Sequence, residues 1–235
     1  MLGDSRWSRF LNETAGDEPR ALDLYIWHSQ LTAQLQELLS YLEIAMRNAF
    51  DQQIRAWVVT QTPKKASLSN FQADWCMTDD LPEPLGKLIG SALRKARDYA
   101  QKASNQRATG HPRHGQGICH DDILVQVTFG GWTRLLCRPG PHGIPGPPET
   151  QLWVQCLHLA FPKADPQSGQ SVGSRMEAMR QLRNRVAHHD SLLSLDIPRQ
   201  VETILSLLAA MDPQFADIAM SRNRIREILR SDPRK

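Results

Sequence analysis

The chain has 235 residues, a formal net charge of +3 and a hydrophobic content of 40%, which is enough apolar material for a packed core. This composition excludes collagen-like and other fibrous chains, and no apolar run is long enough for a membrane-spanning helix. The first residues lack the continuous apolar segment of a secretory signal, and four cysteines are too few for a disulfide scaffold. We therefore expect a cytoplasmic protein with reduced thiols and no membrane association.

Helical periodicity dominates the chain. From Leu24 to Ala49 the apolar positions recur at alternating steps of four and three, which predicts a long amphipathic helix over roughly 20–59. The next apolar stripe predicts a second helix from about 82 to 104. Further helices are expected at about 121–137, 149–160, 173–189, 198–211 and 213–230.

Two segments interrupt this pattern. Residues 105–118 have no helical period and predict a basic loop, and residues 138–148 are rich in proline and glycine and predict a linker. Gly130-Gly131 weakens the helix around it and indicates a kink or a close backbone contact. No alternating strand pattern is present. The prediction is an all-α bundle, a single domain over 1–235 with one long N-terminal helix and irregular loop insertions.

Positive charge is concentrated in two regions. Residues 85–120 carry seven basic residues and one acidic residue. Residues 171–235 carry eleven basic and eight acidic residues, and ten of the eleven are arginine. Clustered cations favour a polyanionic partner, because binding releases the counterions of phosphate groups. Two solvated helix faces are the alternative interpretation.

The densest polar cluster is QLRNRVAHHD at 181–190. Asn184 and His188 are four residues apart and share a helix face, whereas Arg183 and His188 are five apart, about 140° around an ideal helix. Arg183 and His188 can act together only if the helix loosens near Ala187 or if a second copy supplies the partner residue. A solvated helix end is the alternative.

Three segments resemble one family. Arg183-Asn184-x-x-x-His188 resembles the R-N-x-x-x-H motif of the HEPN superfamily of small helical ribonucleases and RNA-binding modules. LSYLEIAMRNAF at 39–50 resembles the L-E-x-A-x-R-N-A helix of its Abi-like (abortive infection) branch. VTFGGWTRLL at 127–136 resembles the F-G-x-W-x-x-L segment of the same branch. The three segments follow the family's order and span most of the chain.

The resemblance implies a HEPN-like bundle that forms a homodimer, with two motifs facing each other across the two-fold axis. It implies a metal-independent endoribonuclease without a cofactor, whose catalytic residues are Arg183, Asn184 and His188. Because the nucleophile is the RNA 2′-OH, we expect no cleavage of DNA. The implied setting is a toxin of anti-phage abortive infection or of a toxin–antitoxin system, restrained by a non-coding RNA. A non-catalytic HEPN RNA-binding module is the first alternative, and a purely structural helical dimer is the second.

Other polar residues are candidates for RNA contact or for support of the site: Arg185, His189, Glu43, Arg47, Asn48, Arg94, Lys95 and Arg97. Glu43 and Arg47 are also spaced for an ion pair that only stabilises the helix. Arg185 and His189 can equally be solvated.

A loop rich in histidine lies in the first basic region. His111, His114, Cys119 and His120 follow the pattern H-x2-H-x4-C-H, which matches no strong zinc signature. We therefore expect no metal. Contact with RNA and a disordered loop are the two interpretations that remain.

Overall fold

The structure is a computed structural model that describes residues 3–63, 70–140 and 144–234. These residues contain helices and no strand, which confirms the all-α prediction. No helix in this part of the chain combines the length and the apolar character that a membrane crossing needs. The α-helices are α1 (Asp4–Glu13), α2 (Glu18–Val58), α3 (Leu85–Asn105), α4 (His120–Leu124), α5 (Phe129–Thr133), α6 (Pro147–Gln155), α7 (Gly169–Ala187), α8 (Ile197–Met211), α9 (Pro213–Met220) and α10 (Ile225–Arg230).

The chain divides into two compact units. The first unit contains the described residues of Met1–Leu42, Gln181–Ala209 and Pro213–Lys235. The second unit contains those of Glu43–Arg180 and Ala210–Asp212. That the whole chain forms a single domain stays a prediction.

The long helix α2 confirms the prediction for 20–59 within two residues at each end. In the first unit its apolar face is fully buried at Leu24, Leu31, Leu35 and Leu38. Burial of each such side chain contributes about 2 kcal/mol. The apolar periodicity was therefore sufficient to predict this helix, because one continuous face of the helix packs into a core.

The helix predicted at 121–137 is instead two short helices, α4 and α5. The Thr128 hydroxyl accepts a hydrogen bond from the Gly131 N–H at 3.1 Å and so begins a new helix at Phe129. A Cβ at Gly131 would lie 2.9 Å from Val127 Cγ1 and 3.6 Å from Ala92 Cβ of α3. The glycine pair therefore marks a helix start and a close approach to α3 rather than a kink.

The C-terminal helix predicted at 213–230 is also interrupted. α9 ends at Met220 and α10 begins at Ile225. Between them the Asn223 side chain accepts from the Ile225 N–H at 3.0 Å and donates to the Gln34 carbonyl at 3.1 Å. This buried amide fixes the turn to α2 through contacts that no local pattern predicts.

The two predicted loops, 105–118 and 138–148, are mostly non-helical where the structure describes them, but Asn105 still belongs to α3 and residues 147–148 belong to α6. Residues 106–119 contain only turns and extended segments. In the linker, 138–140 and 144–146 are non-helical, 141–143 lie outside the described residues, and Pro147 already begins α6. Proline suits this position because the first turn of a helix leaves its N–H groups without helical partners.

Candidate active site

The Arg183–His188 motif lies on the last turns of α7, in the first unit. The His188 N–H donates to the Asn184 carbonyl at 2.9 Å, as in a regular α-helix. The helix therefore does not loosen before His188, so Arg183 and His188 stay about 140° apart around its axis. Of the two routes that the sequence allowed for bringing them together, loosening of the helix is not observed, and completion by a second copy stays a prediction.

The motif residues differ in their exposure. His188 is exposed, whereas Arg183 and Asn184 are half-buried. Their helix is anchored by Leu182 and Val186, which are buried at 3% and 2% exposure. A fixed helix end thus presents the His188 imidazole to solvent, where a substrate can reach it.

The chain reverses immediately after the motif. His189 has a φ of 53°, the left-handed conformation that usually favours glycine. Its N–H donates to the Val186 carbonyl at 3.1 Å, and the Asp190 N–H donates to the Arg185 carbonyl at 2.8 Å. This pair of bonds is a Schellman motif, which satisfies the last carbonyls of α7. It places His188 at the C-cap of α7.

A cavity of about 760 Å³ opens beside this turn, within the first unit. α1 contributes Arg6, Arg9 and Phe10, α2 contributes Tyr25, and the turn contributes His189. The Phe10 and Tyr25 rings meet edge to face with centroids 5.4 Å apart. The volume is in the range of small-ligand sites, and the Arg6 and Arg9 guanidinium groups in the lining can hold an anionic group such as a phosphate.

A buried histidine forms part of the cavity wall. His28 of α2 accepts the Leu192 N–H on Nε2 at 3.1 Å, so the proton of its neutral ring is on Nδ1. Burial above all, together with the charges of Arg6, His189 and Arg234, lowers the pKa of His28 from 6.5 to about 4. His28 is therefore neutral at pH 7 and can bond to a ligand without adding charge.

The sequence did not assign a role to the cavity residues Arg6, Arg9, Tyr25 and His28. His28 lies within the apolar stripe that predicts the long helix, and no helix was predicted at the position of α1. The signal that was available is the pair of arginines three residues apart in SRWSRF, a spacing that places both on one helix face. Of the predicted supporting pair, His189 lines the cavity, and Arg185 is exposed.

The predicted supporting residues on α2 and α3 lie in the second unit. Glu43 and Arg47 are half-buried and Asn48 is exposed on α2, and Arg94 and Lys95 are exposed on α3. Their support of the motif stays a prediction.

Arg97 has a structural role in the second unit. Its guanidinium donates to the Cys76 carbonyl at 2.7 Å and to the Thr78 carbonyl, and it pairs with Asp79. Hydrogen bonding to Arg97 lowers the pKa of the exposed Asp79 carboxyl. Arg97 thus fastens the segment before α3 to that helix.

Arginines of the basic loop pair with one acid inside the second unit. Arg107 and Arg113 bond to Asp122 at 2.9 Å and 2.7 Å, and the same carboxylate accepts from the Cys119 N–H at 2.9 Å. Burial alone would raise the pKa of Asp122, but these bonds hold it well below its usual value. Because both arginines pair with this one carboxylate, about half of the loop's arginine charge is balanced within the chain.

The histidine-rich pattern is divided by the fold. His111 and His114 are exposed on the loop, whereas His120 is 5% exposed. His120 Nε2 lies 2.8 Å from Asp51 Oδ1, and its Nδ1 lies 3.0 Å from Cys76 Sγ. Within the described ranges, no group of three or more His, Cys, Asp or Glu residues is arranged to hold a metal ion.

The chain matches no protein-family model, no curated protein and no solved structure. The HEPN and Abi-like resemblance therefore rests on the three sequence motifs, and the all-α class rests on the observed helices.

Proposed function

We propose that the protein is a HEPN-like, metal-independent endoribonuclease whose catalytic residues are Arg183, Asn184 and His188. The observation that supports it is the exposed His188 imidazole at the end of α7, next to a turn that lines the cavity containing Arg6 and Arg9. An imidazole can both accept and donate a proton, and nearby guanidinium groups can hold phosphate.

The proposed reaction needs only groups of the protein and the RNA. His188 accepts the proton of a 2′-OH as its oxygen bonds to the adjacent phosphorus. The bond from phosphorus to O5′ then breaks, and O5′ receives the proton that His188 has taken up. The products are a 2′,3′-cyclic phosphate and a 5′-OH. Arg183 stabilises the charge on the phosphoryl oxygens, and Asn184, on the same helix face as His188, orients the ring.

The working form in this proposal is a homodimer. One regular helix holds Arg183 and His188 on different sides, so a second motif facing the first completes each site. A ribonuclease in the cytoplasm endangers its own cell, which implies restraint. The proposal therefore includes a non-coding RNA as antitoxin, in a toxin–antitoxin or abortive-infection system.

A non-catalytic RNA-binding module is the second candidate. The same 140° separation favours it, because a single chain holds cations and an aromatic cavity for RNA without combining the catalytic pair. Binding of RNA without cleavage by the assembled protein is its expected behaviour.

Cleavage in the presence of EDTA tests the proposal. Purified protein is incubated with labelled RNA, and with DNA of the same sequence. RNA fragments ending in 2′,3′-cyclic phosphate are expected, with no cleavage of DNA. Arg183→Ala and His188→Ala should abolish the fragments, whereas Arg222→Ala, an exposed arginine outside the site, should not. Cleavage that requires a divalent ion, or that survives in His188→Ala, contradicts the proposal.

A further inference from the structure

A second cavity, of about 570 Å³, lies entirely within the second unit and has a strongly basic lining. Its charged residues are Lys95, Arg134, Arg138 and Arg180, and no acidic residue lines it. An adjoining cavity of about 400 Å³ shares Arg134 and Arg138 with it and adds Lys87 and Glu149. The two cavities therefore form one elongated tract, called here the basic groove.

One wall of the basic groove is a stripe of α3. Lys87, Ser91, Lys95 and Tyr99 follow each other at steps of four residues, so each is a neighbour of the next, and the row winds about 120° around the helix from Lys87 to Tyr99. With a rise of 1.5 Å per residue, the stripe is about 18 Å long. Cations spread over this length suit a polymer with a repeated negative charge better than one small anion.

Two other lining residues, Arg138 and Arg180, are arginines that contact one acidic residue of the chain. Arg180 bonds to Glu177 at 2.9 Å through Nε, and Arg138 lies 3.7 Å from the same carboxylate. The Arg138 Nε is shielded from solvent and has no hydrogen-bond partner among the described residues. A shielded donor of this kind points to an acceptor supplied by a ligand, because a donor left without a partner is destabilising.

The groove also carries an exposed aromatic ring at one end. Tyr99 is 57% exposed, and the Lys102 ammonium lies 5.7 Å from its ring centroid. An exposed ring beside cations is the arrangement on which bases of single-stranded nucleic acid stack. An acidic peptide would use the cations but would have no need of the ring.

We infer that the basic groove binds single-stranded RNA, with phosphates on Lys95, Arg134 and Arg138 and a base stacked on Tyr99. The choice of RNA as the polymer rests on the proposed function. The groove itself rests on the geometry of the second unit, which contains none of Arg183, Asn184 and His188.

The test measures binding rather than cleavage. The full chain carrying His188→Ala is titrated against a short labelled single-stranded RNA of mixed sequence, and anisotropy is followed over a range of salt concentrations. Lys95→Ala/Arg134→Ala is compared with Lys163→Ala/Arg222→Ala, a control that removes one lysine and one arginine exposed outside the groove. Tyr99→Ala is compared with Tyr99→Phe, which keeps the ring. Circular dichroism checks that each variant is folded.

The groove pair should weaken binding at least about tenfold and lower the slope of log Kd against log salt by about 1.4, since each phosphate contact on a single strand contributes about 0.7. Tyr99→Ala should weaken binding about tenfold, and Tyr99→Phe less than about twofold. Equal effects of the groove and control pairs would overturn the inference, as would wild-type affinity in Tyr99→Ala. Equal affinity for single-stranded DNA, or equal competition by polyglutamate, would overturn the assignment to RNA.

The outcome is separable from that of the proposed function. RNA bound in the groove by a protein that cleaves nothing would uphold the groove and contradict the enzyme. Cleavage of RNA by a protein whose groove variants bind RNA normally would uphold the enzyme and contradict the groove.

Discussion

His120 and His188 occupy opposite kinds of environment. His120 is 5% exposed, has a partner for each ring nitrogen, and packs edge to face against Trp75 with centroids 5.9 Å apart. His188 is exposed at the last turn of α7, beside a cation-lined cavity. The comparison separates a histidine that holds elements together from one that is available to a substrate.

The buried histidine belongs to a hydrogen-bonded network in which both of its ring nitrogens have partners. The Asp51 carboxylate accepts from His120 Nε2 and from Trp75 Nε1, both at 2.8 Å. Burial and the nearby Asp51 charge raise the pKa of Cys76 to about 12, so its thiol stays protonated at neutral pH. A cysteine, a histidine and an aspartate in contact resemble a catalytic set, but a fully buried neutral thiol is not a nucleophile. This network therefore links α2, α4 and the segment before α3.

The largest expected effect is on catalysis at His188. His188→Ala should lower the rate of RNA cleavage by about 10²–10⁴-fold, the usual contribution of a general base. Because the side chain is exposed, the free energy of unfolding should change by less than about 0.5 kcal/mol. Single-turnover cleavage and urea unfolding of the same preparation measure both. A clear loss of stability in His188→Ala would mean that His188 supports the fold, which would contradict the contrast with His120.

His120→Ala should show the reverse pattern. Loss of a buried ring and of its bonds to Asp51 and Cys76 should lower the free energy of unfolding by about 3 kcal/mol. Urea unfolding of this variant beside His188→Ala gives the matched comparison. Unchanged stability in His120→Ala would show that the network does not support the fold.

A third histidine, His28, predicts a pH dependence of stability. Its pKa of about 4 in the folded chain lies below the value of 6.5 expected on unfolding. The unfolded chain therefore binds a proton first, and stability should fall by about 3 kcal/mol as the pH falls between these values. His28→Gln keeps an acceptor for the Leu192 N–H but does not titrate. The free energies of unfolding of the two proteins should become more similar as the pH falls through this window. A constant difference between them would contradict the lowered pKa of His28.

The smallest effect concerns His189. An L-residue in the left-handed region costs about 1–2 kcal/mol, so His189→Gly should stabilise the protein by about 1 kcal/mol. Ala15→Gly, at the other residue with a φ of 53°, is the matched control. If His189 contacts RNA in the cavity, His189→Gly should also slow RNA cleavage, whereas Ala15→Gly should not. Equal cleavage by both variants would assign His189 a conformational role alone.

Much of the fold was predictable, for a physical reason. α2 and α3 bury one continuous face each, so their periodicity survives in the sequence. The break at Thr128 and the turn at Asn223 depend on single side chains that bond to a nearby or distant backbone, which a periodic pattern does not record. α1 was missed because few of its residues are buried.

The candidate site, like the fold, was predictable from the sequence only in part. The motif Arg183–His188 is contiguous, so its residues could be identified from the sequence alone. The cavity unites α1, α2 and the end of α7, and the basic groove unites α3 with Arg134, Arg138 and Arg180. Such combinations depend on the packing of distant segments, and only the structure brings them together.

Complementation between two inactive variants tests the central claim most directly. Arg183→Ala and His188→Ala are each inactive in this account, but a mixed dimer carries one site with both native residues. If partner copies complete each site, co-refolding equal amounts should restore about a quarter of wild-type RNA cleavage. The separately refolded variants, mixed without exchange, should remain inactive. A wild-type protein that cleaves RNA while the mixed dimers stay inactive would contradict a site shared between two copies.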